Sequence, residues 1–163
     1  MIFRLSQKLN SKIKAGGLSV LPLEDNPFSD WSAQLFVAGR TQYVLLSNTE
    51  SLYSTVMFGK GITNENKFVE SALGCIREFM EDDGHESVYR RLIYPESGTI
   101  RFSKALNRSV TGSMTDMIRF ATAMLAEDEM PPRDIGFKLN EIPFSWLKCG
   151  TPLATFKNMV SER

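Results

Sequence analysis

The sequence predicts an α+β fold: an antiparallel, meander-containing sheet packed against several helices in a single domain. Two observations carry that expectation. Three strand-like runs, Trp31–Val37, Gln42–Ser47 and Leu52–Phe58, follow one another across Ala38–Thr41 and Asn48–Glu50, connections short enough for hairpins. After them the apolar period lengthens to that of helices, over Phe68–Met80 and Met114–Leu125, with one strand-like run between. Strands first and helices after is the pattern of a sheet covered by helices, and 163 residues are enough for one domain with a core of its own.

Ile2–Leu5 reads as a short opening strand. Ser6 is placed to cap a helix over Gln7–Lys14, where Leu9 and Ile13 share a face, and Gly16–Gly17 stop it. Leu18–Leu23 is apolar and adds extended structure, and Glu24–Asp30 has the acids, Asn-Pro and Ser of a loop. After the three strands, Asn64 caps a helix that runs to about Asp83, with Gly84 as its stop. A shorter helix, Glu86–Ile93, ends before Pro95, and Thr99–Lys104 reads as a strand. The next helix carries Met114, Met117, Ile118, Ala121, Met124 and Leu125, spaced for a core. Glu127–Glu129 and Pro131–Pro132 end it. In Leu139–Trp146, Pro143 argues against a central strand. Thr151 caps a last helix that starts at Pro152 and buries Leu153, Phe156 and Val160.

Composition removes several function classes. Nineteen basic side chains balance nineteen acidic ones, so no global field recruits nucleic acid or an anionic membrane. Cys75 and Cys149 lie far apart and His85 is the sole histidine, a poor set for zinc, so no metal site is expected; the cysteines read as reduced, mostly buried thiols. There is no P-loop, and no cofactor is expected. The start, MIFRLSQKLNSK, has no apolar run of signal-peptide length, and no stretch approaches a membrane span; the expected location is the cytoplasm.

Polar groups converge at Asn107–Ser113, an elbow between the last strand and the long helix. Free amides at a helix start, hydroxyls from Ser109 and Ser113, and the Arg108 cation are the ingredients of a phosphate or carboxylate site. Two capping schemes fit. Either Ser113 caps with Asp116 as its reciprocal partner, or Asn107 or Ser109 caps a turn earlier. Gly112 costs roughly 1 kcal/mol against alanine in a helix, which suggests close approach by neighbouring backbone or by a ligand. Trp31 either anchors the sheet edge or lines a pocket. Arg90, Arg91, Arg101, Lys104 and Arg108 form the densest basic run, which reads either as a solvated surface or, with Tyr89 and Tyr94, as a contact for nucleic acid by charge and stacking.

MIFRLSQKL, DWSAQLF at Asp30–Phe36, YVLLSNTESLYS at Tyr43–Ser54 and FSKALNRSVTGSMTDM together resemble a family of small uncharacterised bacterial proteins. Its pattern is an opening strand, D-W-x-A-x-L-F, a strand ending in Asn, and N-R-S-V-x-G-S-M-x-D. Trp31, Asn48, Asn107, Arg108, Ser109, Gly112, Ser113 and Asp116 match it, and the similarity is weakest after Glu127. The resemblance implies a domain class and no chemistry.

Three functions are open to this sequence. The first is a non-enzymatic binding or regulatory module, with an anion, nucleotide or nucleic acid held by Asn107, Arg108, Ser109 and Ser113 and walled by Trp31 and Asn48. The second is an enzyme on a phosphate-containing substrate, phosphodiesterase- or nuclease-like, with Asp116 as base and Arg108 as electrostatic stabiliser. The third is a subunit acting through association with a protein partner or as a homo-oligomer.

Overall fold

Five strands form one sheet in the order β4-β3-β2-β1-β5 in the computed structural model, which describes residues 1–163. They are β1 (Ile2–Leu5), β2 (Asp30–Ala38), β3 (Thr41–Asn48), β4 (Ser54–Phe58) and β5 (Arg101–Ser103). The fold is α+β, and β2, β3 and β4 make the expected antiparallel meander. The wholly antiparallel sheet is corrected: β1 runs parallel to β2 and to β5. A parallel neighbour requires a crossover: one carries the chain from β1 to β2, and a second carries it from β4 across the sheet to β5 beside β1. Between β1 and β2 it comprises the helix α1 (Gln7–Ile13) and a loop; between β4 and β5 it includes α2 (Glu65–Asp82) and α3 (Glu86–Val88), which continues as a wide turn, Tyr89–Ile93.

Side-chain alternation along the strands gives the sheet two apolar faces. Phe3, Trp31, Ala33, Val44 and Leu46 join α1, α2 and the last helix, α6 (Pro152–Ser161), through Leu9, Ile13, Phe68, Ala72, Ile76 and Phe156. Phe36, Leu45 and Val56 point the other way, against Val110, Met114, Met117 and Ala121 of α4 (Arg108–Ala126) and Ile135 and Leu139 of α5 (Pro132–Leu139).

Several boundaries depart from the sequence expectation for local reasons. Pro131–Pro132 ends nothing: Pro132 opens α5, where its fixed φ suits a first helical position. The third strand begins at Ser54, because Thr49–Leu52 is spent on a turn. Asn48 Oδ1 holds that turn by accepting from the Ser51 amide (3.0 Å) and hydroxyl (2.8 Å), and Leu52 takes φ 61° within it. Leu18–Leu23 is an irregular strap instead of extended structure.

That strap is fastened by the first strand. Arg4 uses every guanidinium donor: Nε and Nη2 on the Asp30 carboxylate (2.8 and 2.7 Å), Nη1 on the Leu21 carbonyl (2.7 Å) and Ser103 Oγ (3.3 Å), and Nη2 also on the Pro22 carbonyl (2.9 Å). Neither Arg4 nor Asp30 has exposed side-chain surface. Buried charges persist only when paired and hydrogen-bonded, and here both conditions are met.

Candidate functional site

Asn107 caps α4: its side chain accepts from the Val110 amide at 3.0 Å, with the backbone at φ −160°. The capping box at Ser113 and Asp116 is therefore corrected. The helix starts at Arg108, and both residues lie inside it. Ser113 Oγ donates to the Ser109 carbonyl (2.8 Å) and accepts from Trp146 Nε1 (2.8 Å), so this nearly buried hydroxyl is spent on structure. Gly112 has nothing within 4 Å of where a Cβ would stand, so close packing does not explain it.

Trp31 and Asn48 do not join the elbow. They pair with each other across β2 and β3, on the face opposite α4. Trp31 is in the core with Nε1 donating to the Phe28 carbonyl (2.8 Å), and Asn48 Nδ2 donates to the Pro27 (2.8 Å) and Asp30 (3.2 Å) carbonyls. Trp31 is thus an anchor, not a pocket wall. Asp116 is exposed beside Arg119 at 3.5 Å and lines a separate shallow groove with Phe120 and Phe144. Eight positions along the helix, about 12 Å of rise, separate it from Arg108. One small reacting group does not bridge them, which removes the geometric basis for the acid–base pairing.

What the elbow does meet is the opposite end of the sheet's parallel half. β1 and β5 are neighbours with their carboxyl ends on the same side. From β1 the chain enters α1 on one face; from β5 it enters α4 on the other. Chain directions diverge there, and the crevice outside diverging carboxyl ends is where open α/β sheets hold ligands. A crevice of about 680 Å³ occupies this place, lined among others by Ser6, Asn10, Gly16, Gly17, Lys104 and Thr111. That volume is in the range of small-molecule sites. The Lys104 amide donates to the Ser19 carbonyl (2.9 Å), which ties the end of β5 to the strap.

The electrostatics of this end are simple. Arg101 is paired with Glu24 (2.9 Å) and Arg90 with Glu86, while Arg91 turns back on the Ser87 carbonyl (3.3 Å). Lys104 and Arg108 are exposed, and neither has a carboxylate within ion-pair distance. Ser109 is exposed on the same first turn, and the amides of Arg108 and Ser109, first in α4, have no intrahelical acceptor. Asn10 donates from Nδ2 to the Gly16 carbonyl (2.9 Å) and leaves Oδ1 buried without a partner. Of these, Ser6, Asn10, Lys104 and Thr111 were not assigned to a site from sequence; the adjacency of β1 and β5 is what makes them neighbours.

A second cluster also escaped the sequence. Tyr53 donates to Asp83 Oδ2 at 2.6 Å, and His85 lies 3.7 Å from the same carboxylate, packed edge-on to Phe156. Burial pushes the His85 imidazole below its ordinary value, and burial with the neighbouring Asp83 charge pushes the Tyr53 hydroxyl up. Cys75 is largely buried and its thiol is pushed up by burial to about 11; Cys149 is exposed, contrary to the expectation of two buried thiols. No helix is long and apolar enough to cross a membrane.

No curated protein and no solved structure matches this chain. A family model does, over residues 2–154, and the chain belongs to that family, a domain of unknown function (DUF6933).

Proposed function

We propose that the protein is a non-enzymatic binding module that holds a small anionic molecule, bearing a phosphate or carboxylate, in the crevice between the carboxyl ends of β1 and β5. The observation that carries this reading is the unpaired cation Lys104 on the lining of that crevice, with Arg108, also unpaired, four residues on at the first position of α4. Cations without partners cost little on a surface, but two of them beside the free amides of a long helix form an anion-attracting corner. Asn107 acts as the cap that starts the helix there. Ser109 offers its amide, and Ser113 contributes through Trp146 to fixing the first turns. A small anion fits better than a nucleic acid. Arg90 and Arg101 are neutralised within the protein, and affinity for a phosphate backbone scales with the number of phosphates contacted.

Thermal unfolding with inorganic phosphate, pyrophosphate, citrate and adenosine monophosphate tests the reading. A ligand present at a hundred times its Kd adds about 2.7 kcal/mol of stability, a rise of roughly 5–10 °C for a domain of this size. Lys104→Ala and Arg108→Ala should abolish the rise while leaving the ligand-free Tm within about 2 °C, since surface changes of this kind stay within ±0.5 kcal/mol. A ligand-induced rise that survives both substitutions contradicts the site; absence of any rise across the panel contradicts the ligand class.

A further inference from the structure

The outward face of α4 takes no part in the crevice. Met114, Met117 and Ala121 turn to the sheet, which leaves Asp116, Arg119 and Phe120 in solvent. Asp116 and Arg119 are one turn apart with side chains 54% and 77% exposed, and at 3.5 Å they make a loose pair. Phe120 is 52% exposed in mid-helix. It borders the groove of about 490 Å³ beside α4, which Ile142, Pro143 and Phe144 also line. A pair of opposite charges and an apolar groove thus share one strip of surface that no other part of the chain covers.

This face is complementary to itself. Two antiparallel helices related by a two-fold axis present the same patch to each other, so a residue ahead of the axis meets one equally far behind it. An axis passing midway between Asp116 and Arg119 sets Asp116 of each copy against Arg119 of the other. The same register places Phe120 opposite Thr115, and Gly112 opposite Ala123, a small residue on each side where the backbones close. The axis keeps each flank of the pair the same for both copies, so Phe120 of one copy comes to lie over the Ile142–Phe144 groove of the other. Crossing helices diverge away from their contact, and Arg108, about 14 Å of rise from the axis, stays with the crevice.

We propose that α4 is the contact of a two-fold homodimer, held by two reciprocal Asp116–Arg119 pairs beside Phe120. The two charges cancel, so the strip has no net field to draw a basic or an acidic partner; what it fits is its own copy.

Sedimentation velocity of the full chain over about 5–500 µM tests this, and the expected result is a monomer–dimer equilibrium. Asp116→Arg and Arg119→Asp, both at exposed positions, should each weaken dimerisation at least about tenfold, because like charges then meet twice across the axis. Mixing the two variants in equal amounts should restore association, since aspartate and arginine again oppose each other in the heterodimer. A variant that had merely lost its fold would not be rescued in this way. Combining both reversals in one chain should also restore the dimer, and Phe120→Ser should leave a monomer with an unchanged Tm. A chain that stays monomeric throughout the range, a dimer indifferent to the single reversals, or folded variants that remain monomeric on mixing would overturn the assignment.

Discussion

Replacing Arg4 with methionine should be among the most damaging single changes in this chain. Methionine fills the volume of the arginine stem but supplies no donor. The Asp30 carboxylate would lose both guanidinium bonds and keep only the Glu24 amide at 3.0 Å, at a place with no exposed side-chain surface. The Leu21 and Pro22 carbonyls lose their partners as well, so the strap detaches from β1. Removing one partner of a buried pair costs about 3–5 kcal/mol, a large fraction of the roughly 5–15 kcal/mol that holds a domain folded. Arg4→Lys should lose somewhat less, because one ammonium cannot serve a carboxylate fork and two carbonyls together. Arg4→Met with Asp30→Leu should recover at least half of the loss, since no buried charge is then left alone. Urea denaturation followed by the fluorescence of buried Trp31 measures all three. A loss below about 1 kcal/mol in Arg4→Met, or a double variant no better than the single one, would refute the reasoning.

Gly112→Ala should raise stability by about 0.5–1 kcal/mol, because the position is helical, exposed and unobstructed; a loss in urea melts would mean the glycine is needed for something the backbone geometry does not display. Gly136→Ala should do the reverse, by about 2 kcal/mol or more, since its Cβ would stand 2.6 Å from the Phe79 ring and 2.9 Å from the Ser54 carbonyl. A Tm within about 1 °C of the parent would show that α5 slides freely on β4. His85 gives the pH dependence. Its folded value lies below the unfolded one of about 6.5, so the unfolded state takes up the proton first, and stability falls as pH drops below the unfolded value towards the folded one. His85→Phe should therefore narrow the difference in urea midpoint between pH 7.5 and pH 5.5, and an equal difference in both proteins would exonerate the imidazole.

Much of the fold is written locally. Asn64, Asn107 and Thr151 each accept from an amide three residues on, as caps do, and the meander follows from two short connections. The neighbours of β1 are not written locally. No feature of Ile2–Leu5 says that it lies between β2 and β5, because parallel pairing is settled by where crossover helices pack, not by the strand's own residues. The same blindness hid Arg4 and Asp30: each reads as an ordinary charge until the sheet places them side by side. It also misplaced Trp31 and Asn48, which sit close to one another but on the far face from the elbow. At the elbow itself the residue types were legible, and the partner elements were not. Asn107 proved to be a cap, Ser113 a brace for Trp146, and Lys104, read as part of a basic run, lines the crevice.

The most direct measurement is a titration of the isotope-labelled protein with pyrophosphate, following amide shifts residue by residue. Binding at the switch point requires the Arg108, Ser109, Lys104 and Gly17 amides to move together along one saturating curve, with Val56 and Phe58 unmoved and the response lost in Lys104→Ala. Shifts scattered over the surface without saturation, or saturating shifts centred on Asp116 and Arg119, would contradict the account.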